Sequence, residues 1–183
     1  MTPRDDAGRG TKGGRVDTPE EIPRAFVAAW NARSPEGIAA LFAEDADFVN
    51  VVGIWWENRE AIRRAHAYGL ERIFPDSTLR LGRVKVRHLS KGPGEAFGGG
   101  SEDSRGETAV VHARMTLEHQ SAVDAVGAPG RRVTLFSFVL RRDPGAEEGW
   151  LCLSAQNTDV VPGAETHLRD GSTGELRAVD YRT

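Results

Sequence analysis

The chain has 183 residues, enough for one hydrophobic core with some additional sequence but short of two typical domains. Its 24 Lys and Arg residues and 27 Asp and Glu residues give a formal charge of -3, and neither sign is concentrated in one stretch. A nucleic-acid partner is therefore not expected, because surfaces that bind phosphates gather positive charge.

Cys152 is the single cysteine, so the chain forms no internal disulfide and no cysteine-based zinc cluster. Its expected role is that of a small buried apolar residue rather than a nucleophile. Residues 1–17 contain no apolar run typical of a signal segment, and no stretch elsewhere suits a bilayer span. We expect a cytoplasmic protein without membrane contact.

Three helices are predicted in the first half of the chain, over residues 19–33, 35–43 and 59–74. Each follows a residue whose side-chain oxygen suits a helix N-terminus: Thr18, Ser34 and Asn58. Pro19 suits the first turn of the first helix, and Pro75 ends the third. Helical spacing in the first helix predicts a buried apolar stripe of Ile22, Phe26, Ala29 and Trp30.

Five strands are predicted, over residues 47–52, 79–89, 108–118, 132–142 and 150–160. The third alternates clearly, with apolar residues at the odd positions of 109–117 and mainly polar residues at the even positions. Helices followed by mostly antiparallel strands make an α+β domain. This order favours a curved, mostly antiparallel sheet wrapped on the three N-terminal helices, which gives a cone with one internal pocket.

Three stretches, 1–17, 90–107 and 162–183, are rich in glycine, charge and turn formers and poor in large apolar residues. They bury too little apolar surface to offset the cost of ordering them. We therefore expect a disordered N-terminal tail, a flexible loop and a C-terminal tail around a folded domain at 18–161. Because residues 90–107 separate two predicted strands, they are interpreted as a long hairpin loop rather than a linker.

This order of elements, together with the segment AAWNARSPEGIAALFAEDADFVNVVG at residues 28–53, resembles the nuclear transport factor 2-like (NTF2-like) fold. That superfamily includes the SnoaL-like cyclases and ketosteroid isomerase, and the resemblance covers roughly residues 20–161. Three shorter segments resemble the SgcJ/EcaC family: FVNVVG with Trp55 and Trp56, REAI with His66, and SAQNTD at 154–159. Members of that family occur in enediyne and other polyketide pathways.

The resemblance implies a homodimer with a small-molecule pocket and a role in secondary metabolism, such as antibiotic biosynthesis. It also implies an isomerase-like or cyclase-like activity, or the oxidoreductase activity often assigned to SgcJ/EcaC proteins. Aligned with ketosteroid isomerase, whose site uses a tyrosine and an aspartate base, the tyrosine falls at Phe26 and the aspartate at Asn50. Phe26 has no hydroxyl and an amide is no useful base near neutral pH, so that constellation is not expected here.

His66 is the candidate catalytic residue. It lies four residues after Ile62 and four before Leu70, on the inward stripe of the third predicted helix. An imidazole there exchanges protons near neutral pH or orients a ligand. A core histidine with satisfied hydrogen bonds is the alternative interpretation.

Four candidate ligand contacts cluster around the end of the first predicted strand: Phe48, Asn50, Trp55 and Trp56. Asparagine has poor strand propensity and is costly to bury without a partner, so Asn50 is expected to face a polar cavity or a bound group. An asparagine bonded to neighbouring backbone is the alternative. One tryptophan is expected to wall the pocket while the other packs beneath it or at a dimer interface, and the spacing does not decide which.

Three further candidates lie on later strands. His112 and Arg114 share one face, opposite which Phe136 and Phe138 are expected, and Arg114 there would clamp a carboxylate or enolate oxygen. A solvated outer face is the alternative for this pair. Alternation puts Gln156 and Asn157 on opposite faces, and Asn157 is preferred as the inward one.

The histidines show no spacing typical of a metal site, and the glycine run at 98–100 opens no helix that would cradle a phosphate. We therefore expect no metal and no cofactor. The favoured hypothesis is a cofactor-independent enzyme that transfers protons on an unsaturated or polyketide-like substrate. The alternatives are a carrier or sequestration protein with the same pocket, and an interaction module in which the cavity is vestigial.

Overall fold

The computed structural model describes residues 15–90, 106–121, 127, 129–142, 147 and 149–180. The helices precede most of the strands and comprise α1 (Glu21–Asn31), α2 (Pro35–Ala39) and α3 (Arg59–Tyr68), which continues into a π-helical turn at Gly69–Ile73. The described residues also form eight strands, of which the first two lie between α2 and α3. In chain order they are β1 (Phe42–Val49), β2 (Trp55–Trp56), β3 (Thr78–Ser90), β4 (Glu107–Glu118), β5 (Arg132–Arg142), β6 (Trp150–Asp159), β7 (Thr166–Arg169) and β8 (Leu176–Val179).

The first six strands form one curved, open sheet in the order β2-β1-β6-β5-β4-β3. Its pairs are antiparallel except β1 with β6, which run parallel. The expected α+β class with a mostly antiparallel sheet against N-terminal helices is therefore confirmed. β3 and β4 pair antiparallel, and the predicted loop between them falls on positions 91–105, which lie outside the described residues.

Two of the three predicted caps are present. The Ser34 side chain accepts a hydrogen bond from the Gly37 N–H, and the Asn58 Oδ1 accepts one from the Ala61 N–H at 2.8 Å. Thr18 makes no such cap, because α1 begins only after Glu20. The Glu21 carboxylate instead accepts hydrogen bonds from the backbone N–H groups of Asp17 and Thr18, at 2.8 and 3.4 Å.

The second predicted helix ends four residues early, and β1 begins at Phe42 rather than at residue 47. Pairing with β6 explains the difference, since Phe42 lies opposite Cys152 and the Cys152 N–H donates to the Leu41 carbonyl at 2.8 Å. Strand pairing across the fold thus overrides the local helical preference of this segment.

The core fills the space between the helices and the inner face of the sheet. The five odd-numbered residues of β4 from 109 to 117 are all buried, as the alternation predicts: Ala109, Val111, Ala113, Met115 and Leu117. They face the same core as Ile22 and Phe26 of α1. Cys152 is also buried there, and burial raises the pKa of its thiol, which suits the expected role of a small apolar residue.

Both ends of the folded domain differ from the expected boundaries. Val16 is buried and forms a parallel bridge with Gly149, and the Trp150 N–H donates to the Val16 carbonyl at 2.9 Å. Gly149 has a φ of +78°, and a side chain there would collide with the Val16 carbonyl. At the other end, within the predicted C-terminal tail at 162–183, β7 and β8 pair with each other in a two-stranded hairpin separate from the main sheet.

Candidate functional site

A cavity of about 760 Å³ opens between the helices and the inner face of the sheet. Its walls come from α1, the β1–β2 turn, α3 with its π-helical turn, and the ends of β5 and β6. Besides His66, seven aromatic rings line it: Phe26, Trp30, Phe48, Trp56, Tyr68, Phe74 and Phe136. The volume and the apolar walls are typical of small-molecule sites.

His66 lies in this aromatic wall. Its side chain projects from the inward stripe of α3, as the spacing predicts, and the residue is only 8% exposed. Four aromatic rings surround the imidazole, with centroid distances of 5.3 Å to Phe48, 5.7 Å to Phe26, 5.9 Å to Trp56 and 6.4 Å to Trp30. These contacts fix the ring in an environment that contains little water.

One hydrogen bond sets the tautomer of His66. The Nδ1 atom lies 2.8 Å from the carbonyl oxygen of Ile62, one turn earlier in α3. Because a carbonyl only accepts, Nδ1 carries the proton and Nε2 keeps its lone pair. Nε2 is therefore the ring nitrogen that accepts a proton or a hydrogen bond from a molecule in the cavity.

Burial lowers the pKa of His66, because the imidazolium loses the solvation that water provides, and the Ile62 carbonyl opposes this effect only in part. The imidazole is consequently neutral near pH 7. A neutral ring with an Nε2 lone pair acts as a base, whereas an imidazolium would not.

Asn157 also reaches the cavity, from β6 opposite Phe136. Its amide oxygen is buried and has no hydrogen-bond partner among the described residues. Gln156 is exposed on the other face, as preferred from the sequence. The simple alternation behind that preference does not hold along the whole strand, since a register shift in the pairing with β5 lets both Cys152 and Ala155 point inward.

Asn50 lines the cavity but lies just after β1 rather than in mid-strand. Its side-chain oxygen accepts hydrogen bonds from the N–H groups of Val52, at 3.1 Å, and Ile54, at 2.8 Å. The side chain therefore holds the β1–β2 turn together, which was the alternative interpretation. With both oxygen lone pairs engaged, the amide NH2 group is what Asn50 offers to a ligand.

The two tryptophans of β2 point to opposite sides. Trp56 lines the cavity together with Phe48, and their ring centroids are 5.5 Å apart. Trp55 does not line it: this residue is 58% exposed, and its indole N–H donates to the Asp47 carboxylate at 2.7 Å. Of these two candidate pocket residues, Trp56 is therefore the one that lines the cavity, because the two-residue period of a strand turns neighbours to opposite faces.

His112 and Arg114 do not reach the cavity either. Both are exposed on the outer face of the sheet, where His112 Nδ1 lies 2.9 Å from the Ser137 hydroxyl. The even positions of β4 point outward because the odd ones are buried, and Phe136 and Phe138 belong to the inner face rather than opposite His112. The solvated outer face was the correct interpretation of this pair.

Several cavity residues are not among those predicted from the sequence: Arg64, Tyr68, Arg132 and Thr134. Arg64 and Tyr68 could have been found, since they flank His66 on α3 beside Ala61 and Ala65, which also line the cavity. Arg132 and Thr134 could not, because β5 meets α1, the β1–β2 turn and α3, which lie far from it in the chain, only in the folded domain. A shallower groove of about 570 Å³ shares Arg132 and Phe74 with the main cavity.

The described part of the chain contains no cluster of three or more histidine, cysteine or acidic side chains that would hold a metal ion. Within the same residues, no helix has the length and apolar character needed to cross a membrane.

The family of the chain follows from comparison with known sequences. The SnoaL-like domain family matches residues 24–143, about two thirds of the chain. The chain belongs to the SnoaL-like domain family. None of the curated proteins matches the sequence significantly. The SnoaL-like domain carries His66 and most of the cavity wall within the matched residues.

Solved structures agree with this assignment of fold. An uncharacterised cystatin-like protein from Caulobacter vibrioides superposes with a TM-score of 0.61 at 24% identity, covering 78% of this chain and 87% of that one. A proposed scytalone dehydratase from Novosphingobium aromaticivorans gives 0.55 at 12% identity, with coverage of 78% and 81%. A proposed dehydratase of the NTF2-like family from Streptomyces avermitilis gives 0.54 at 17%, with coverage of 78% and 93%. At these identities the likeness shows the fold alone.

Proposed function

We propose that this SnoaL-like protein is a cofactor-independent enzyme that transfers protons on an unsaturated, polyketide-like small molecule. The observation that carries the proposal is the state of His66, which is neutral, fixed in one tautomer and presented to an aromatic cavity. A histidine whose pKa lies below neutrality is a ready but weak base. It therefore suits substrates whose C–H bonds are already acidified by neighbouring carbonyl groups.

The proposed reaction needs no electron donor or acceptor. His66 Nε2 removes a proton from a carbon next to a carbonyl group, which leaves an enolate and an imidazolium. The same imidazolium then returns the proton to another carbon of the conjugated system, so that a double bond moves and the enzyme is restored. If the imidazolium instead donates its proton to a hydroxyl group of the substrate, that group leaves as water and the reaction is a dehydration.

Two amide side chains are placed to hold the substrate. The NH2 group of Asn50 is a donor for a carbonyl or enolate oxygen, since its own oxygen is engaged in the β1–β2 turn. The Asn157 oxygen is an acceptor for a substrate hydroxyl, which would satisfy a polar atom that has no partner among the described residues. Phe48 and Trp56 would enclose the unsaturated part of the molecule.

The finer assignment to the SgcJ/EcaC family, and with it a role in enediyne or other polyketide biosynthesis, is also proposed. The three segments that carry the resemblance all contribute to one cavity, through Asn50, His66 and Asn157. That convergence supports a shared ligand rather than three unrelated likenesses.

A homodimer and a cytoplasmic location complete the proposal. The outer face of β5 carries two apolar residues that are partly exposed, Leu135 and Val139, at 39% and 38%. They lie on the same face as His112 and Arg114, which gives a mixed apolar and polar surface for a second copy.

A carrier or sequestration protein is the second candidate, and one observation favours it: His66 is the only ionisable residue that is buried among the described cavity residues. A protein that only binds its ligand needs no base, so a cavity with so few ionisable groups suits it. A proton-transfer enzyme needs at least one base, which here would be His66. The two functions differ in whether loss of His66 abolishes a reaction or only changes an affinity.

Hydrogen exchange separates the two candidates. Cyclic β-diketones and conjugated enones are incubated in D2O, and incorporation of deuterium is followed by NMR with wild type, His66→Gln and His66→Asn. Proton transfer by His66 predicts catalysed exchange that falls about 10²- to 10⁴-fold in the variants while affinity changes little. The matched control is His112→Gln, a histidine on the outer face, which should exchange at the wild-type rate. Exchange that survives loss of His66 would contradict the proposed role.

A further inference from the structure

The cavity is lined by basic side chains but by no acidic ones among the described residues. Among the described residues that line it, those able to carry a charge are Arg64, His66, Tyr68 and Arg132, and none is Asp or Glu. His66 is buried and neutral, so the fixed charges are those of the two arginines. Both have exposed side-chain surface, 65% for Arg64 and 29% for Arg132, which places them at the mouth rather than in the interior.

Arg132 already has a strong partner. Its Nε and Nη2 atoms donate to the two carboxylate oxygens of Asp159, at 2.6 and 3.1 Å. Such a two-point pair satisfies the carboxylate-binding edge of the guanidinium. Arg132 therefore contributes little uncompensated charge to the cavity.

Arg64 is much less engaged. Its ion pair is with Glu60, at 3.7 Å, and Glu60 is shared with Arg63. The Arg63 Nε and Nη2 atoms donate to both Glu60 carboxylate oxygens at 2.8 and 2.9 Å, which lowers the pKa of Glu60. Since the carboxylate is committed to Arg63, the guanidinium of Arg64 keeps its donor edge for another anion.

We propose that the ligand of this cavity is anionic: its carboxylate binds Arg64 at the mouth while its apolar, unsaturated body fills the aromatic interior. The inference rests on the proposed small-molecule function and adds the substrate class. An uncharged ligand would leave the arginine edge unused, and a cationic one would meet like charge at the entrance.

The position of Arg64 fits this arrangement. It lies two residues before His66 on α3, and the small side chains of Ala61 and Ala65 line the cavity on the same helix. A carboxylate held by Arg64 leaves the rest of the molecule free to pass over these alanines toward His66. The charged group would then set which carbon of the substrate meets Nε2.

A pair of fluorescent probes tests the inference. 1-Pyrenebutyrate and 1-pyrenebutanol share one apolar body and differ in the carboxylate, and their binding is followed through energy transfer from the cavity tryptophans. We expect wild type to bind the acid about two- to fivefold more tightly than the alcohol, as one largely exposed ion pair allows. The preference should shrink as salt is raised from about 0.05 to 1 M.

Matched arginine variants locate the effect. Arg64→Gln should bind both probes equally, while Arg72→Gln, which removes the same charge from a similarly exposed arginine that pairs with Glu71 and does not line the cavity, should keep the wild-type preference. Arg64→Lys should retain part of it. Equal binding of the two probes by wild type, or an equal loss in both Gln variants, would overturn the anionic-ligand inference alone. Failure of both probes to bind would contradict the ligand-binding function on which it rests.

Discussion

The cavity and the outer face of the sheet contain the same types of side chain in opposite states. His66 is buried among four aromatic rings with one nitrogen committed to a backbone carbonyl, whereas His112 is exposed beside a serine hydroxyl. Trp56 lines the cavity, whereas its neighbour Trp55 lies in solvent. Residue type therefore says little about function here, and the face of the sheet or helix on which a residue lies says most.

The largest expected difference between the inner and outer faces of the sheet is in the stability lost on substitution. Phe138 and Val139 are neighbours on β5, but Phe138 is fully buried on the inner face and Val139 is partly exposed on the outer one. Phe138→Ala should lower the free energy of unfolding by about 3 to 5 kcal/mol, because it leaves a cavity in the core. Val139→Ala should cost less than about 1 kcal/mol. Urea unfolding of both variants measures the difference, and similar losses would contradict the assignment of faces.

The second contrast concerns ligand affinity. Trp56→Ala should weaken the binding of 1-pyrenebutanol about tenfold, because an aromatic wall in contact with the ligand is lost. Trp55→Ala should leave affinity unchanged, since its indole bonds to Asp47 outside the cavity. Isothermal titration gives both values, and a loss of affinity in Trp55→Ala as large as in Trp56→Ala would show that the cavity has been placed on the wrong side of β2.

The sequence predicts the fold well because most of its signals are local. The strand β5 is predicted with its observed bounds, and β4 with its correct buried face, since a period of two residues is visible without knowledge of the fold. The start of β1 is missed because Phe42 becomes a strand residue only through its pairing with Cys152 in β6. Contacts between distant parts of the chain leave no such local signal.

The candidate site divides in the same way. His66 is found from helical spacing alone, and Asn157 from strand alternation, although a register shift in β6 makes that argument incomplete. For Trp55, His112 and Arg114 the sequence leaves two faces open, because the side of the sheet that meets the helices is fixed only in the folded domain. For Asn50, the hydrogen bonds from Val52 and Ile54 show the bonding to neighbouring backbone that the sequence left as the alternative.

The smallest expected effect is on pH dependence, and it follows from the lowered pKa of His66. The unfolded chain binds a proton at this histidine near its ordinary value of 6.5, whereas the folded chain binds it only at lower pH. The contribution of neutral His66 to stability is therefore fully present above pH 6.5. As the pH falls from 6.5 toward the folded-state pKa, the free energy of unfolding decreases by at most about 1.4 kcal/mol per pH unit. His66→Gln should remove this slope, and His112→Gln should keep it.

The most direct test of the central claim is a ¹⁵N NMR titration of the His66 imidazole, from pH 8 downward, with His112 as the internal comparison. A neutral base in the cavity predicts one protonated nitrogen, Nδ1, at pH 7, and a folded-state pKa below 6.5. Addition of a ligand that donates to Nε2 should shift that resonance and leave Nδ1 protonated. A doubly protonated ring at pH 7, or a proton on Nε2 instead of Nδ1, would contradict the account of His66 as the base of this site.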